Sequence, residues 1–179
     1  GKALKSCLTD PRLPVRIAAM DAYFGTVYPH ERQCSEAVEL PGGTPTEKAE
    51  FRDNLIADIA KVEQGMKIAL IGVVNPLIAA IRKRGGTCLP CDLQMERTHW
   101  GDPVEKDMEK VLDSADGVIC TGMTLSNGTF DRVIERVLER SIPLTVYAQT
   151  GSAVAARFVG AGITSLVAEP FPFSQFSAN

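Results

Sequence analysis

Several things are scarce in this sequence, and each shortage removes a class of function. Of 179 residues only two are histidine and one is tryptophan, and aromatic residues make up 6%. There is no H-x-x-x-H, no recognisable Ser/His/Asp spacing and no P-loop, so no general base or nucleophile can be named from a motif. Positive charge is short as well. The 19 Lys and Arg are outnumbered by 22 Asp and Glu, for a net charge of −3, and no basic stripe occurs, which excludes nucleic acid as an expected partner. The longest apolar stretches, around 68–74 and 142–148, fall far short of the roughly 20 residues a spanning helix needs, so no membrane partner is expected. No secretory signal pattern is visible, and the chain opens on Gly1 rather than Met, which leaves open a segment before it. The five cysteines, at 7, 34, 88, 91 and 120, are odd in number and scattered. That argues against a disulfide framework and for a reducing, cytoplasmic setting.

What remains is an ordinary globular composition, 45% hydrophobic and 23% charged, in a chain long enough for one sizeable core with a small appendage. From Lys67 onward, apolar runs of β type alternate with helical patterns. Strands are expected at 66–72, 87–91, 117–120, 144–148 and 165–168, and helices at 76–83, 104–112, 130–140 and 153–160. The runs are continuously apolar rather than alternating, as when helices cover both faces of a parallel sheet. The β-α-β alternation predicts an α/β fold, a doubly wound parallel sheet of about five strands. The first 62 residues differ. A helix is expected at 12–23, with Pro14 in its first turn, then turn residues at 41–47 and a second helix at 47–62. We read 1–62 as a helical appendage and 63–179 as the sheet domain.

The most informative stretch is Cys-Thr-Gly-Met-Thr-Leu-Ser-Asn-Gly-Thr at 120–129. The apolar run Gly117-Val118-Ile119-Cys120 stops in small hydroxyl, amide and glycine residues, and Val133, Ile134, Val137 and Leu138 then mark a helix from Phe130. Ligands of open parallel sheets bind beyond the carboxyl ends of the strands, where the strand order reverses. With the order 2-1-3-4-5, the loops at that point are Gly72-Val73-Val74-Asn75-Pro76 and 121–129. Cys91-Asp92 and Gln149-Thr150-Gly151-Ser152 complete the rim. Asn75 and Pro76 have the residue types of a helix start, with Asn75 as cap. Asn127 and Thr129 are natural caps for the helix at Phe130, and Thr124 and Ser126 suit either an anion or the backbone. A dinucleotide fingerprint needs three glycines and only Gly72 is present, so classical NAD binding is not expected. Asp92, 20 residues later, stands where an acid would meet a ribose or another polyhydroxy ligand.

The pair Cys88-Leu-Pro-Cys91 admits three readings. A redox pair would have its first cysteine at a helix N-terminus, but this one ends a strand. A metal site would need further ligands, for which Asp92, His99 or Cys120 are available. In the third reading Cys88 is a buried strand residue and Cys91 is incidental. His99, in the loop after the second strand, is within reach of the crevice mouth. His30 has less to recommend it.

Together, Ile71-Gly72 followed by Asn75-Pro76, the helix closed by Arg84-Gly85, and the run from Ser114 to Thr129 resemble the Rossmann-like family of unknown function labelled "putative heavy-metal chelation". The Thr-Gly-x-Thr-Leu-x-Asn-Gly-Thr segment is the most specific match. Val15-Arg16-Ile17-Ala18-Ala19-Met20-Asp21-Ala22 resembles the helix that precedes the Rossmann-like part. The resemblance implies an N-terminal portion like that of enolases, reduced here, and a ligand pocket between the lobes for a divalent metal or metal chelate. It also implies a homodimer. The usual turn after the fourth strand appears here as Thr150-Gly151-Ser152-Ala153.

The combined expectation is a small-molecule binding protein for an anionic metabolite or metal chelate. Its expected ligand-binding residues are Gly72, Asn75, Asp92, Thr121, Gly122, Thr124, Asn127, Gly128, Thr129, Gly151 and Ser152. Gly122, Asn127 and Gly128 would act through their amides, and Asp92 would meet a cation or hydroxyl. The alternative is an enzyme acting on a small carboxylate or amino-acid-like metabolite, with a nucleotide-type cosubstrate and Asp92 and His99 as its titratable groups. A third possibility is metal handling through Cys88, Cys91 and His99.

Overall fold

The computed structural model describes residues 3–169. Five parallel strands, β1 (Lys67–Ile71), β2 (Thr87–Cys91), β3 (Gly117–Thr121), β4 (Leu144–Ala148) and β5 (Ser165–Ala168), form one sheet in the order β2-β1-β3-β4-β5. This is the doubly wound α/β arrangement expected from the alternation of apolar runs. Before the sheet come α1 (Leu4–Leu8), α2 (Leu13–Val27) and α3 (Pro45–Ile59). Within it come α4 (Asn75–Lys83), α5 (Met108–Ser114), α6 (Met123–Asn127), α7 (Phe130–Arg140) and α8 (Ser152–Ala155). No helix is long and apolar enough to cross a membrane among the described residues.

Side chains of a strand alternate between the two faces of a sheet, and two separate cores follow. Ala69 and Ile71 of β1, Val118 and Cys120 of β3, and Leu144 and Val146 of β4 pack with α2, α5, α7 and α8. Ile68, Leu70 and Ile119 face the other way, onto α3 and α4. Crossovers between parallel strands are right-handed, so the step from β1 to β2 places α4 on one face. The remaining steps run the opposite way and place their helices on the other. That leaves α4 alone over half of a five-stranded sheet. The N-terminal α3 fills the gap with Ile56 and Ala57, both fully buried. Its start is secured by a capping box, in which Thr44 Oγ1 accepts from the Glu47 amide and Glu47 Oε2 accepts from the Thr44 amide.

Three elements differ from the sequence expectation. The helix expected at 104–112 begins only at Met108, capped by Asp107. Residues 103–105 are extended instead: the Glu105 amide donates to the Pro90 carbonyl and the Asp92 amide to that of Glu105. Val104 thereby covers the α3–α4 core, which a helical start would not allow. The segment expected as a loop at 121–129 contains α6, with Leu125 buried beneath it. The helix expected at 153–160 shortens to α8 and a 3-10 turn, Ala156–Phe158. That turn lays Phe158 edge-on to Phe130 at 5.3 Å.

Candidate functional site at the carboxyl edge of the sheet

The strand order reverses between β1 and β3, the place where open parallel sheets take their ligands in a crevice, and the residues just beyond the two strands pack closely. Gly72 has φ 85°, and a Cβ there would lie 2.4 Å from Thr121 Cγ2. From β4 the Tyr147 hydroxyl donates to the Gly72 carbonyl at 3.1 Å. Burial pushes the pKa of that hydroxyl up, so it remains a donor at any ordinary pH. Gly72, Thr121 and Tyr147 thus lock the ends of three strands together.

Many of the polar groups expected to meet a ligand are already engaged within the chain. Asp92 accepts from the amides of Val73 at 3.0 Å, Gln94 at 2.8 Å and Met95 at 3.0 Å, so it organises the rim. The Gly122 amide donates to the Tyr147 carbonyl, and that of Gly128 to the Thr124 carbonyl. Thr124 is 1% exposed and donates to the Thr121 carbonyl at 2.7 Å. Asn127 Oδ1 turns onto the amide and hydroxyl of Thr129, and neither side chain caps α7. Asn75 does not cap α4 either. Its Oδ1 accepts from the His99 amide at 2.9 Å and so ties the 92–107 loop to the start of that helix. The Gly151 amide and the start of α8 at Ser152 are closed by Asp21 of α2. Its carboxylate accepts from Gly151 at 2.9 Å, Ala153 at 2.8 Å and Val154 at 3.3 Å.

The structure does not bring Cys88 and Cys91 together. Three residues apart on a strand, they point to opposite faces: Cys88 towards the α3–α4 core and Cys91 towards the other. Burial pushes the thiol pKa up to about 12 at Cys88 and about 11 at Cys91. Both are therefore protonated near neutral pH in the metal-free chain, which disfavours a thiolate nucleophile. The His99 ring packs edge-on to Trp100 at 5.6 Å. Among the described residues no three His, Cys, Asp or Glu side chains converge on a point.

Sequence reasoning missed a polar cluster beside the crevice. Arg52 of α3 holds Asp53 Oδ1 at 2.7 Å, and its guanidinium lies 3.8 Å from Glu169 just past β5. Gln149 Nε2 donates to Glu169 Oε2 at 2.9 Å. Asp53 is 1% exposed, and its Oδ2 is buried with no hydrogen-bond partner. Burial pushes the Asp53 carboxyl pKa up, and the bond from Arg52 only partly offsets this. A signal was present: Asp53 shares a helix face with Ile56 and Ala57, and Asp21 shares one with Ile17 and Phe24. An acid on an apolar stripe is drawn at least partly out of water, as Asp21 is, or wholly, as Asp53 is, and such an acid needs a partner.

The engagement of Asp92 has a testable pH consequence. Burial raises the pKa of its carboxyl, but the three amides outweigh that and hold it below the ordinary value of 3.8. A carboxyl with a depressed folded pKa contributes stability above the unfolded pKa and loses it as pH falls towards the folded one. Asp92→Asn is therefore expected to flatten the drop in urea midpoint between about pH 5 and about pH 3. An unchanged acid limb would show that the amide bonds are not formed in solution.

Residues 54–165 match the family described as "Putative heavy-metal chelation". No curated protein matches the chain. Among solved structures it is similar to the aminotransferase TlmJ from Streptoalloteichus hindustanus, at 17% identity and a TM-score of 0.40, over 83% of this chain and 40% of that one. It is also similar to LysN, an α-aminoadipate aminotransferase from Thermus thermophilus, at 14% identity and a TM-score of 0.46, over 94% of this chain and 54% of that one. The chain thus spans about half or less of the aminotransferases it matches. By the match over its central 112 residues, this chain belongs to the "Putative heavy-metal chelation" family.

Proposed function

We propose that the protein binds a small anionic metabolite or an anionic metal chelate in the crevice between β1 and β3. One contrast carries this reading. The chain's own carboxylates occupy two sets of amides at the carboxyl edge of the sheet, Asp21 at the start of α8 and Asp92 at the loops after β1 and β2. The amides of Val74 and Asn75, which open α4, take no partner among the described residues. They stand at the positive end of a nine-residue helix, where an anionic group gains about 0.3–1 kcal/mol from the dipole alone. Asp21 and Asp92 show what kind of group such backbone accepts. The rest of the ligand would lie against Thr121 and the exposed Met123. Since no three His, Cys, Asp or Glu side chains converge among the described residues, a metal enters this reading only inside its chelate.

Amide chemical shifts during titration test it. Inorganic phosphate and a zinc–nitrilotriacetate complex are expected to move Val74, Asn75 and Thr121, whereas zinc chloride leaves them in place. Largest shifts elsewhere, or equal responses to chelate and free zinc, would remove the assignment.

A further inference from the structure

A cavity of about 370 Å³ lies between α2 and the layer of α6, α7 and α8, and none of the crevice residues Gly72, Asn75 or Thr121 lines it. Its volume falls within the range of small-molecule sites. The walls are apolar: Ile17, Met20 and Phe24 of α2 oppose Leu125, Phe130 and Phe158. Two charged residues, both exposed, complete the lining: Arg157 and Asp131.

Arg157 is distinctive. Nine of the eleven arginines donate a hydrogen bond to a carboxylate or carbonyl oxygen. Arg157 donates none among the described residues. Its guanidinium instead lies over the rings of Tyr28 at 5.0 Å and Phe24 at 6.0 Å. Two aromatic faces thus hold a planar cation at the solvent-facing end of an apolar cavity, leaving its N–H edge unused. That edge matches a carboxylate in a bidentate fork. Asp131 sits in the first turn of α7, where the helix dipole accommodates it. Its presence makes the sign of the ligand testable.

The geometry points to a second binding site, for an apolar monocarboxylate whose alkyl or aryl body fills the cavity and whose carboxylate pairs with Arg157. It is independent of the crevice and of the function proposed for it.

Isothermal titration with octanoate and with octanamide, its uncharged counterpart, tests the assignment. Octanoate is expected to bind saturably and about tenfold more tightly than octanamide, and Arg157→Gln to erase that difference, since a charge-assisted bidentate pair would be lost. Arg157 is exposed, so its replacement leaves the fold intact. Asp131→Asn, which removes a like charge, is expected to tighten octanoate binding about two- to threefold. Absence of binding, equal affinity for acid and amide, or indifference to Arg157→Gln would overturn the site. Weaker binding by Asp131→Asn would overturn the monocarboxylate assignment in favour of a ligand with an ammonium group. Self-association of the protein that octanoate cannot reverse would mean that a second copy of the chain covers the cavity.

Discussion

Gly72→Ala is expected to lower stability by about 2–4 kcal/mol. Two costs coincide at this position. The backbone has φ 85°, a region where a residue with a Cβ is strained by about 1 kcal/mol or more. The added carbon would also lie 2.4 Å from Thr121 Cγ2, well inside contact distance, and overpacking a rigid site costs about 1–3 kcal/mol. Thr121 cannot easily give way, because it ends a central strand and Tyr147, which bonds the Gly72 carbonyl, stands on the other side. Gly65→Ala separates the two costs. Gly65 has φ 86°, but a Cβ added there would meet nothing within 4 Å, so it should lose only about 1 kcal/mol. Urea unfolding of both variants, with the difference taken between them, gives the steric part. Equal losses at the two positions would mean that the ends of β1 and β3 are not packed as described.

Asp21→Ala should cost about 2–3 kcal/mol. Its carboxylate is the shared acceptor for three amides at the turn into α8, and hydrogen bonds to a charged group contribute about 1.5–3 kcal/mol. Losing three together is not three times that figure, since Asp21 is partly exposed and water can reach some of the freed donors. Asp21→Asn keeps one acceptor oxygen and should lose about 1 kcal/mol. The effect reaches beyond stability, because Asp21 lies on α2 and its partners are more than 120 residues away in sequence. Faster amide exchange in α2 and α8 together, with α4 unaffected, would identify this carboxylate as the clasp between the N-terminal helices and the sheet. A loss below about 0.5 kcal/mol, as for an ordinary surface change, would show that it is not.

The same three acids mark the limit of what the chain discloses as a string of residues. Asp21, Asp53 and Asp92 were all visible, and Asp92 stood out by its spacing from Gly72. Their partners were not visible. Two of them accept from groups that only the packing of helices and loops on the sheet brings within reach: Asp21 across 130 positions and Asp92 across 19; Asp53 is held by its chain neighbour Arg52. Gly122, Thr124, Asn127, Gly128, Gly151 and Asp92, expected as ligand contacts, all carry bonds within the chain, local ones at Thr124, Asn127 and Gly128 and long-range ones at Gly122, Gly151 and Asp92. The separation of Cys88 from Cys91 is different. It follows from the two-residue period of a strand, and was available as soon as 87–91 was assigned to one.

Secondary structure was legible where the physics is local. β2, β4, β5 and α7 begin and end where apolar periodicity does, because that periodicity is set by backbone geometry over two to four residues. The strand order, with its reversal between β1 and β3, was only a supposition until the sheet was assembled; given that order, handedness, which is local in origin, decides which face each helix covers. The short α6, the late start of α5 and the use of α3 as a second cover were not legible. Each answers a demand of the assembled sheet, for a lid over a strand end or a helix over a bare face, and such a demand exists only once the layers have met. Which carboxylates close the carboxyl edge, and which amides they leave open at α4, was decided by that assembly: a half-buried charge takes whatever donors the surrounding surfaces bring to it.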